Sequence, residues 1–337
     1  MNRFLILGES NSVMRGGWVQ GFTDRCNNAV IVNRSIGSTG LLNVIHQIVE
    51  LKKDIGQFDV ILLDHLVSDL KFYYDDQEIY FKYLEVLYSV LLSSGIKVVE
   101  LAYSRYDLNG AGEKFLYKII DFIKARKIEV YDVRDKLLKI KERDSFESLS
   151  SLYRDSAHPK PQVSYEIGCE LASSLSSLEK VFVDRNKLVF PFEVMDVEFI
   201  SANSNMSVKN RKLVKNSLVN YQLVGVSVDA PLEINIPQSL KGSRLIGFMF
   251  NASKATGFCS FETLNNKVAK FISNGNYPGD KPVLWARPIH TAFFLENMLE
   301  IKASNHLLDF ESTEFCGVKY ESSDSSRVEL VSLILMC

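Results

Sequence analysis

The sequence predicts an α/β domain with a mostly parallel sheet between helical layers, followed by an antiparallel β-sandwich. Three observations predict it. Over the first 180 or so residues, short apolar runs alternate with segments of helical spacing, a pattern that right-handed βαβ crossovers satisfy. Beyond about Lys180 the pattern becomes short period-two runs between turn residues, with no long helical stretch. Finally, 337 residues suit two domains better than one, and a chain that is 46% hydrophobic can fill two cores. The expected boundaries are 1–182 and 188–337.

In order along the first domain, Phe4 to Leu7 is a buried strand ending at Gly8, and Ala29 to Val32 is a second. Leu41 to Leu51 carries Leu42, Val44, Ile45, Ile48 and Val49 at helical spacing. Phe58 to Leu63 is the third strand, Ile79 to Leu92 a long helix, and Ile96 to Leu101 the fourth strand after Gly95. Phe115 to Ile123 is helical, Ile128 to Val133 a fifth strand, and Val163 to Leu175 a last helix. In the second domain the alternating runs are Val197 to Ile200, Tyr221 to Val228, Leu232 to Ile236, Leu245 to Phe250, Val268 to Ile272, Thr291 to Leu295 and Val328 to Leu335. The polar, basic stretch Ser201 to Ser217 reads as a loop. Several aromatics of this half could be exposed, including Tyr221, Tyr277 and Trp285.

Bulk properties narrow the function. A net charge of −2 gives no basic surplus of the kind nucleic-acid binders carry. The five cysteines, Cys26, Cys169, Cys259, Cys316 and Cys337, form no CxxC pair and share no metal-ligand spacing with histidine. They read as free thiols, which fits a reducing compartment, and neither metal nor cofactor is expected. The Phe4–Leu7 run is too short for a signal peptide and no stretch reaches transmembrane length. A cytoplasmic protein is expected.

In a parallel sheet, sites lie at the carboxyl ends of the strands, which directs attention to three loops. After the first strand comes Gly8-Glu9-Ser10-Asn11-Ser12, which places a hydroxyl at the sheet's edge. After the second comes Asn33-Arg34-Ser35-Ile36-Gly37-Ser38-Thr39-Gly40, where glycine lets backbone approach a ligand. Before the last helix stands Asp155-Ser156-Ala157-His158-Pro159. An acid three residues before a histidine can reach its Nδ1 in a turn, fix the tautomer and stabilise the imidazolium.

These blocks resemble the SGNH (GDSL-type) hydrolases over roughly residues 1–180. Gly8-Glu9-Ser10 matches the family's Gly-Asp-Ser with Glu for Asp, Gly37 matches the glycine of the second block, and Asp155 with His158 matches the final Asp-x-x-His. The resemblance implies a flavodoxin-like three-layer domain. It also implies Ser10 as nucleophile, His158 as general base and Asp155 as its orienting acid. The third block departs from the pattern. Where the family has Gly-x-Asn-Asp, this chain has Asp64-His65-Leu66-Val67-Ser68-Asp69, so Ser68 takes the place of the oxyanion-binding Asn. The implied oxyanion hole is the Ser10 and Gly37 N–H groups with Ser68 as third donor. Asn11 and Asn33 are the alternative donors, and Asn11, Asn33 and His65 are candidate substrate contacts.

The expected activity is hydrolysis of an acyl ester, by preference an O-acetyl group on a carbohydrate, through a Ser-His-Asp acyl-enzyme. Acyl transfer to a sugar by the same triad is the alternative, and a catalytically silent carbohydrate-binding protein is the third reading. The expected partner is an acylated carbohydrate or another small ester. Nucleic acid is not expected, and the sequence leaves homo-oligomerisation open.

Overall fold

A computed structural model describes residues 2–26, 28–175, 190–204, 211–215, 220–272, 282–304 and 326–337. The chain divides into two compact units, Met1–Phe190 and Pro191–Cys337.

Among the described residues, the first unit is built on five parallel strands in the order β2-β1-β3-β4-β5. These are β1 (Arg3–Gly8), β2 (Val30–Asn33), β3 (Val60–Asp64), β4 (Lys97–Leu101) and β5 (Glu129–Tyr131). The central strands are buried almost throughout, whereas β2 is half-buried and β5 partly exposed. That is the burial expected of a sheet covered on both faces and open only at its edges. The helices described around the strands are α1 (Ser10–Val13), α2 (Trp18–Arg25), α3 (Gly40–Glu50), α4 (Leu66–Phe72), α5 (Gln77–Ser93), α6 (Gly110–Ala125), α7 (Val133–Arg143) and α8 (Pro161–Ser174). Alternate strand residues Phe4, Ile6, Val60, Leu62, Val99 and Leu101 pack with Trp18, Phe22, Leu137, Ile167 and Leu171 of α2, α7 and α8. The intervening residues point to the opposite face. α1, α4 and α7 were not expected from the sequence.

Strand register positions the loops. Gly8 stands level with Asp64 across β1–β3, so the segments after both strands leave the sheet side by side. The β1–β2 ladder is extended beyond its last pair, because the Arg34 N–H donates to the Ile6 carbonyl (2.9 Å) and the Ile36 N–H to the Gly8 carbonyl (3.0 Å). This draws the loop after β2 over the end of β1.

Among its described residues, the second unit contains two antiparallel sheets. One has the order β13-β10-β15-β8-β7, with β6 also pairing with β15, and the other has the order β12-β11-β14-β9. The strands are β6 (Phe192–Asp196), β7 (Arg211–Lys215), β8 (Asn220–Ser227), β9 (Leu232–Asn235), β10 (Arg244–Asn251), β11 (Phe258–Glu262), β12 (Lys267–Phe271), β13 (Leu284–Pro288), β14 (Met298–Ser304) and β15 (Arg327–Met336). One hydrophobic cluster draws side chains from both sheets, among them Phe248, Phe250 and Leu333 from the first and Phe261, Leu299 and Ile301 from the second.

Three expectations for this unit are corrected. Val197–Ile200 is not a strand but part of a short helix, α9 (Val197–Ala202), because Asp196 caps it by accepting the Phe199 N–H at 2.8 Å. Thr291–Leu295 does alternate, with Phe293 and Leu295 buried and Phe294 exposed, but its strand-like pairing among the described residues is a single bridge from Phe294 to Arg244. The expected loop at 201–217 contains β7. Trp285 and Tyr221 are buried, and Tyr277 and Cys316 lie outside the described residues. Among the described residues no helix is long and apolar enough to cross a membrane.

Candidate active site

Ser10 opens α1 directly after β1, and the first turn forms because the Ser12 and Val13 N–H groups both donate to the Glu9 carbonyl. Gly8 cannot be larger: a Cβ there would lie 2.9 Å from the Asp64 carbonyl and against the Ser12 hydroxyl. That hydroxyl donates to Asp64 Oδ2 at 2.5 Å and pins α1 to the end of β3.

His158 is delivered by a tight loop. Tyr153 bridges to Pro159, the Arg154 N–H donates to the His158 carbonyl (3.0 Å), and the Lys160 N–H donates to the Leu152 carbonyl (2.8 Å). Within it, Asp155 Oδ1 accepts the N–H groups of Ala157 and His158, each at 3.0 Å, and lies 2.7 Å from His158 Nδ1. His158 Nε2 lies 2.7 Å from Ser10 Oγ, 148 residues away in sequence. The Tyr153 hydroxyl anchors the loop by donating to the buried Ser104 carbonyl at 2.9 Å. Partial burial pushes the Asp155 carboxyl up, but the two N–H groups and the imidazole outweigh it and hold it below the ordinary aspartate value. Arg154 Nε adds a contact at 3.2 Å to Oδ2.

Gly37 lies beside the serine: a Cβ built on it would stand 3.7 Å from Ser10 Cα and Cβ. Ser68, on α4, is joined to the serine loop through Glu9, the residue before Ser10, and lies against the loop after β2, because a Cβ on Gly40 would lie 3.5 Å from Ser68 Cβ. The loops after β1, β2 and β3 therefore converge where the β1 register places them.

The other residues that the sequence nominated are buried or engaged in contacts of their own. Ser68 turns its hydroxyl and its N–H (2.9 Å) to the Glu9 carboxylate. Asn33 holds the loop together, with its amide donating to the Ser12 carbonyl (2.8 Å) and its Oδ1 accepting the Ser35 N–H (3.0 Å). Asn11 is fully buried. His65, expected as a substrate contact, is fully buried between Asp69 (Nδ1 to Oδ2, 2.5 Å) and Glu100 (Nε2 to Oε2, 3.4 Å). Burial disfavours its imidazolium, yet Glu100 and Asp69 together outweigh that and raise its pKa well above the ordinary value. Tyr80 donates to Asp69 at 3.1 Å and Tyr88 to Glu100 at 3.0 Å, so each of the two carboxylates also receives a tyrosine hydroxyl.

Sequence reasoning missed the Glu9–Ser68 pair. Its signal was two departures read separately: a longer acid in the first block and a shorter side chain in the third. Burial, then the Asp64 carboxylate, push Glu9 well above the ordinary glutamate range, against the opposing hydrogen bonds from Ser68. Asp64 is pushed up by burial to about 7.

Among the described residues no cluster of histidine, cysteine and acidic side chains could hold a metal ion. No family model and no curated protein matches the chain. Several solved structures do. An acetyl xylan esterase matches at 16% identity and a TM-score of 0.43, over 51% of this chain and 99% of its own. A member of the lipolytic G-D-S-L family from Veillonella parvula matches at 15% and 0.42, over 53% and 100%. An acetylxylan esterase from Geobacillus stearothermophilus matches at 12% and 0.40, over 54% and 96%. In the order of its motif blocks and the topology of its sheet, the N-terminal half of this chain resembles the SGNH (GDSL-type) hydrolases.

Proposed function

We propose that the first unit is a serine esterase that cleaves a small acyl group, by preference O-acetyl, from a carbohydrate. One observation carries this reading: Ser10 Oγ, both ring nitrogens of His158 and Asp155 Oδ1 form a continuous chain with two 2.7 Å links. Asp155 accepts a hydrogen bond from Nδ1–H, which fixes the tautomer that leaves Nε2 unprotonated and facing the Ser10 hydroxyl. Ser10 Oγ attacks the ester carbonyl while Nε2 takes its proton, and the Ser10 and Gly37 N–H groups receive the oxyanion. His158 then gives the proton to the leaving alcohol. Water, activated by the same nitrogen, releases the acid and regenerates Ser10.

Asp155 keeps 49% of its side-chain surface exposed and His158 keeps 19%. We read the second unit as a β-sandwich accessory domain. With Trp285 and Tyr221 in its core, those two rings are not its sugar-stacking platform.

A catalytically silent reading is favoured by one observation, the direction of the Ser68 hydroxyl toward Glu9. Intact-mass measurement after a fluorophosphonate probe separates the two. An adduct mapped to Ser10, together with a loss of p-nitrophenyl acetate turnover of at least about 10³-fold in Ser10→Ala, supports the esterase. An unlabelled Ser10 and unchanged turnover remove it.

A further inference from the structure

We propose that Glu9 is a positioning residue that sets the direction of the Ser68 hydroxyl, and so decides whether the oxyanion site has two donors or three. This deepens the esterase reading and rests on it.

The geometry is specific. Glu9 directly precedes the serine and is fully buried. Its Oε1 accepts the Ser68 N–H at 2.9 Å, and its Oε2 makes a close contact with Ser68 Oγ. The Ser68 side chain sits between this carboxyl and the backbone of Gly40, at the corner where the loops after β1, β2 and β3 meet.

A serine hydroxyl has one hydrogen to give and lone pairs to receive. Opposite an ionised Glu9, that hydrogen is committed to Oε2 and Ser68 offers nothing to a substrate. Opposite a neutral Glu9, the hydrogen lies on the carboxyl: Oε2–H donates to Ser68 Oγ, Oε1 still accepts the Ser68 N–H, and the Ser68 hydrogen is free to turn to the developing oxyanion. Only one proton differs between the two states, and it is exchanged with solvent.

The surroundings favour the neutral form. Asp64 at the end of β3 and Asp69 on α4 both oppose a charge on Glu9. Behind them, His65 is bound to Asp69 and Glu100, so its positive charge is already matched. Burial acts in the same direction and is the largest effect, and the Ser68 hydrogen bonds oppose it without cancelling it.

The test is the pH dependence of kcat for p-nitrophenyl acetate in the full-length protein, Glu9→Gln and Ser68→Ala. Glutamine reproduces the neutral acid, because its Oε1 accepts the Ser68 N–H and its Nε2 donates to Ser68 Oγ. The wild type should lose activity as pH rises and Glu9 ionises, by about 10²-fold, the usual effect of one oxyanion donor. Glu9→Gln should stay on the high plateau. Ser68→Ala should run about 10²-fold lower on the acid side and meet the wild type at high pH. Superimposable wild-type and Glu9→Gln profiles overturn the proposal. So does a Ser68→Ala variant that keeps the acid-side rate, and this second result stands even where Glu9→Gln does not fold. If Ser10 takes no probe and Ser10→Ala is fully active, the esterase reading falls and this inference with it. If Ser10 is labelled and the profiles still coincide, only the role of Glu9 falls.

Discussion

Asp155 Oδ1 meets His158 Nδ1 at 2.7 Å while also accepting the N–H groups of Ala157 and His158. One oxygen therefore shapes the turn and orients the ring that the turn carries. Replacing Asp155 by Asn exchanges one oxygen for an amide and removes the charge that favours the imidazolium. In a fully buried triad the same change lowers kcat about 10⁴-fold. Here half of the Asp155 side chain is exposed and water takes over part of its role, so the expected loss is about 10²–10³-fold. Asp155→Ala should lose the turn as well and melt lower than Asp155→Asn. Steady-state kinetics with thermal melts of both variants check this, and an Asp155→Asn enzyme within threefold of wild type would remove Asp155 from the mechanism.

The hydroxyl and the imidazole are kept in reach by a helix crossing. α2 follows the serine loop, α8 follows the histidine loop, and the two cross where both lack side chains. A Cβ on Gly168 would overlap the Trp18 carbonyl, and one on Gly21 would overlap the Tyr165 carbonyl. The Trp18 N–H also donates to Ser164 Oγ at 3.1 Å. Gly168→Ala should lower stability by about 2–3 kcal/mol through overpacking, seen as a lower urea midpoint at unchanged slope. Gly21→Ala should do the same, and the double variant should lose less than the sum because one separation of the helices accommodates both methyl groups. Strict additivity would mean that the two glycines do not share a contact.

Gly37 presents the opposite case. Its Cβ would make only ordinary contact, at 3.7 Å, with Ser10 Cα and Cβ. Gly37→Ala should fold with a stability change inside about 0.5 kcal/mol, yet it places a methyl group beside the nucleophile. Acetyl ester turnover should then fall less than butyryl ester turnover. Comparing kcat/KM for the two p-nitrophenyl esters reads this directly, and an equal fall for both would place the methyl group away from the acyl chain.

The parallel sheet was legible because strands buried on both faces are nearly all apolar. Phe4–Leu7 and Val60–Leu63 stand out for that reason, and the crossovers between them dictate the handedness. The approach of Ser10, Gly37, Asp155 and His158 to one another was legible because Ser10 and Gly37 follow the carboxyl ends of parallel strands and an acid three residues before a histidine can reach it within a turn. Among the helices that were missed, α4 is short, and α7 (Val133–Arg143) is so rich in charge that its apolar stripe of Val133, Leu137 and Ile140 is thin. The fates of Ser68 and His65 could not be read, because each depends on a carboxylate that only the folded sheet brings near. Glu9 is 59 residues from Ser68, and Glu100 arrives from β4. The antiparallel half was read less well, since period-two alternation also occurs where a capping residue, Asp196, starts a helix.

His46, on α3, gives the protein a defined weakness to acid. The side chain is buried, and Glu50 Oε1 lies 3.8 Å from Nδ1. Burial, followed by the nearby Arg34 charge, outweighs that carboxylate and lowers the pKa to about 3. A histidine kept neutral in the fold but free to protonate when unfolded makes the unfolded chain bind more protons below its ordinary pKa of 6.5. Stability must then rise with pH across the window from about 3 to 6.5, and fall as pH drops through it, by up to about 1.4 kcal/mol per pH unit. His46→Gln removes this proton without removing the polar side chain. Its stability at pH 7 should be equal to or below that of the wild type, because packing around the ring is lost. Its slope between pH 6.5 and 4 should be shallower by close to one proton. Urea midpoints at four or five pH values give both slopes, and parallel curves for the two proteins would show that His46 binds its proton equally in the native and unfolded states and plays no part in acid unfolding.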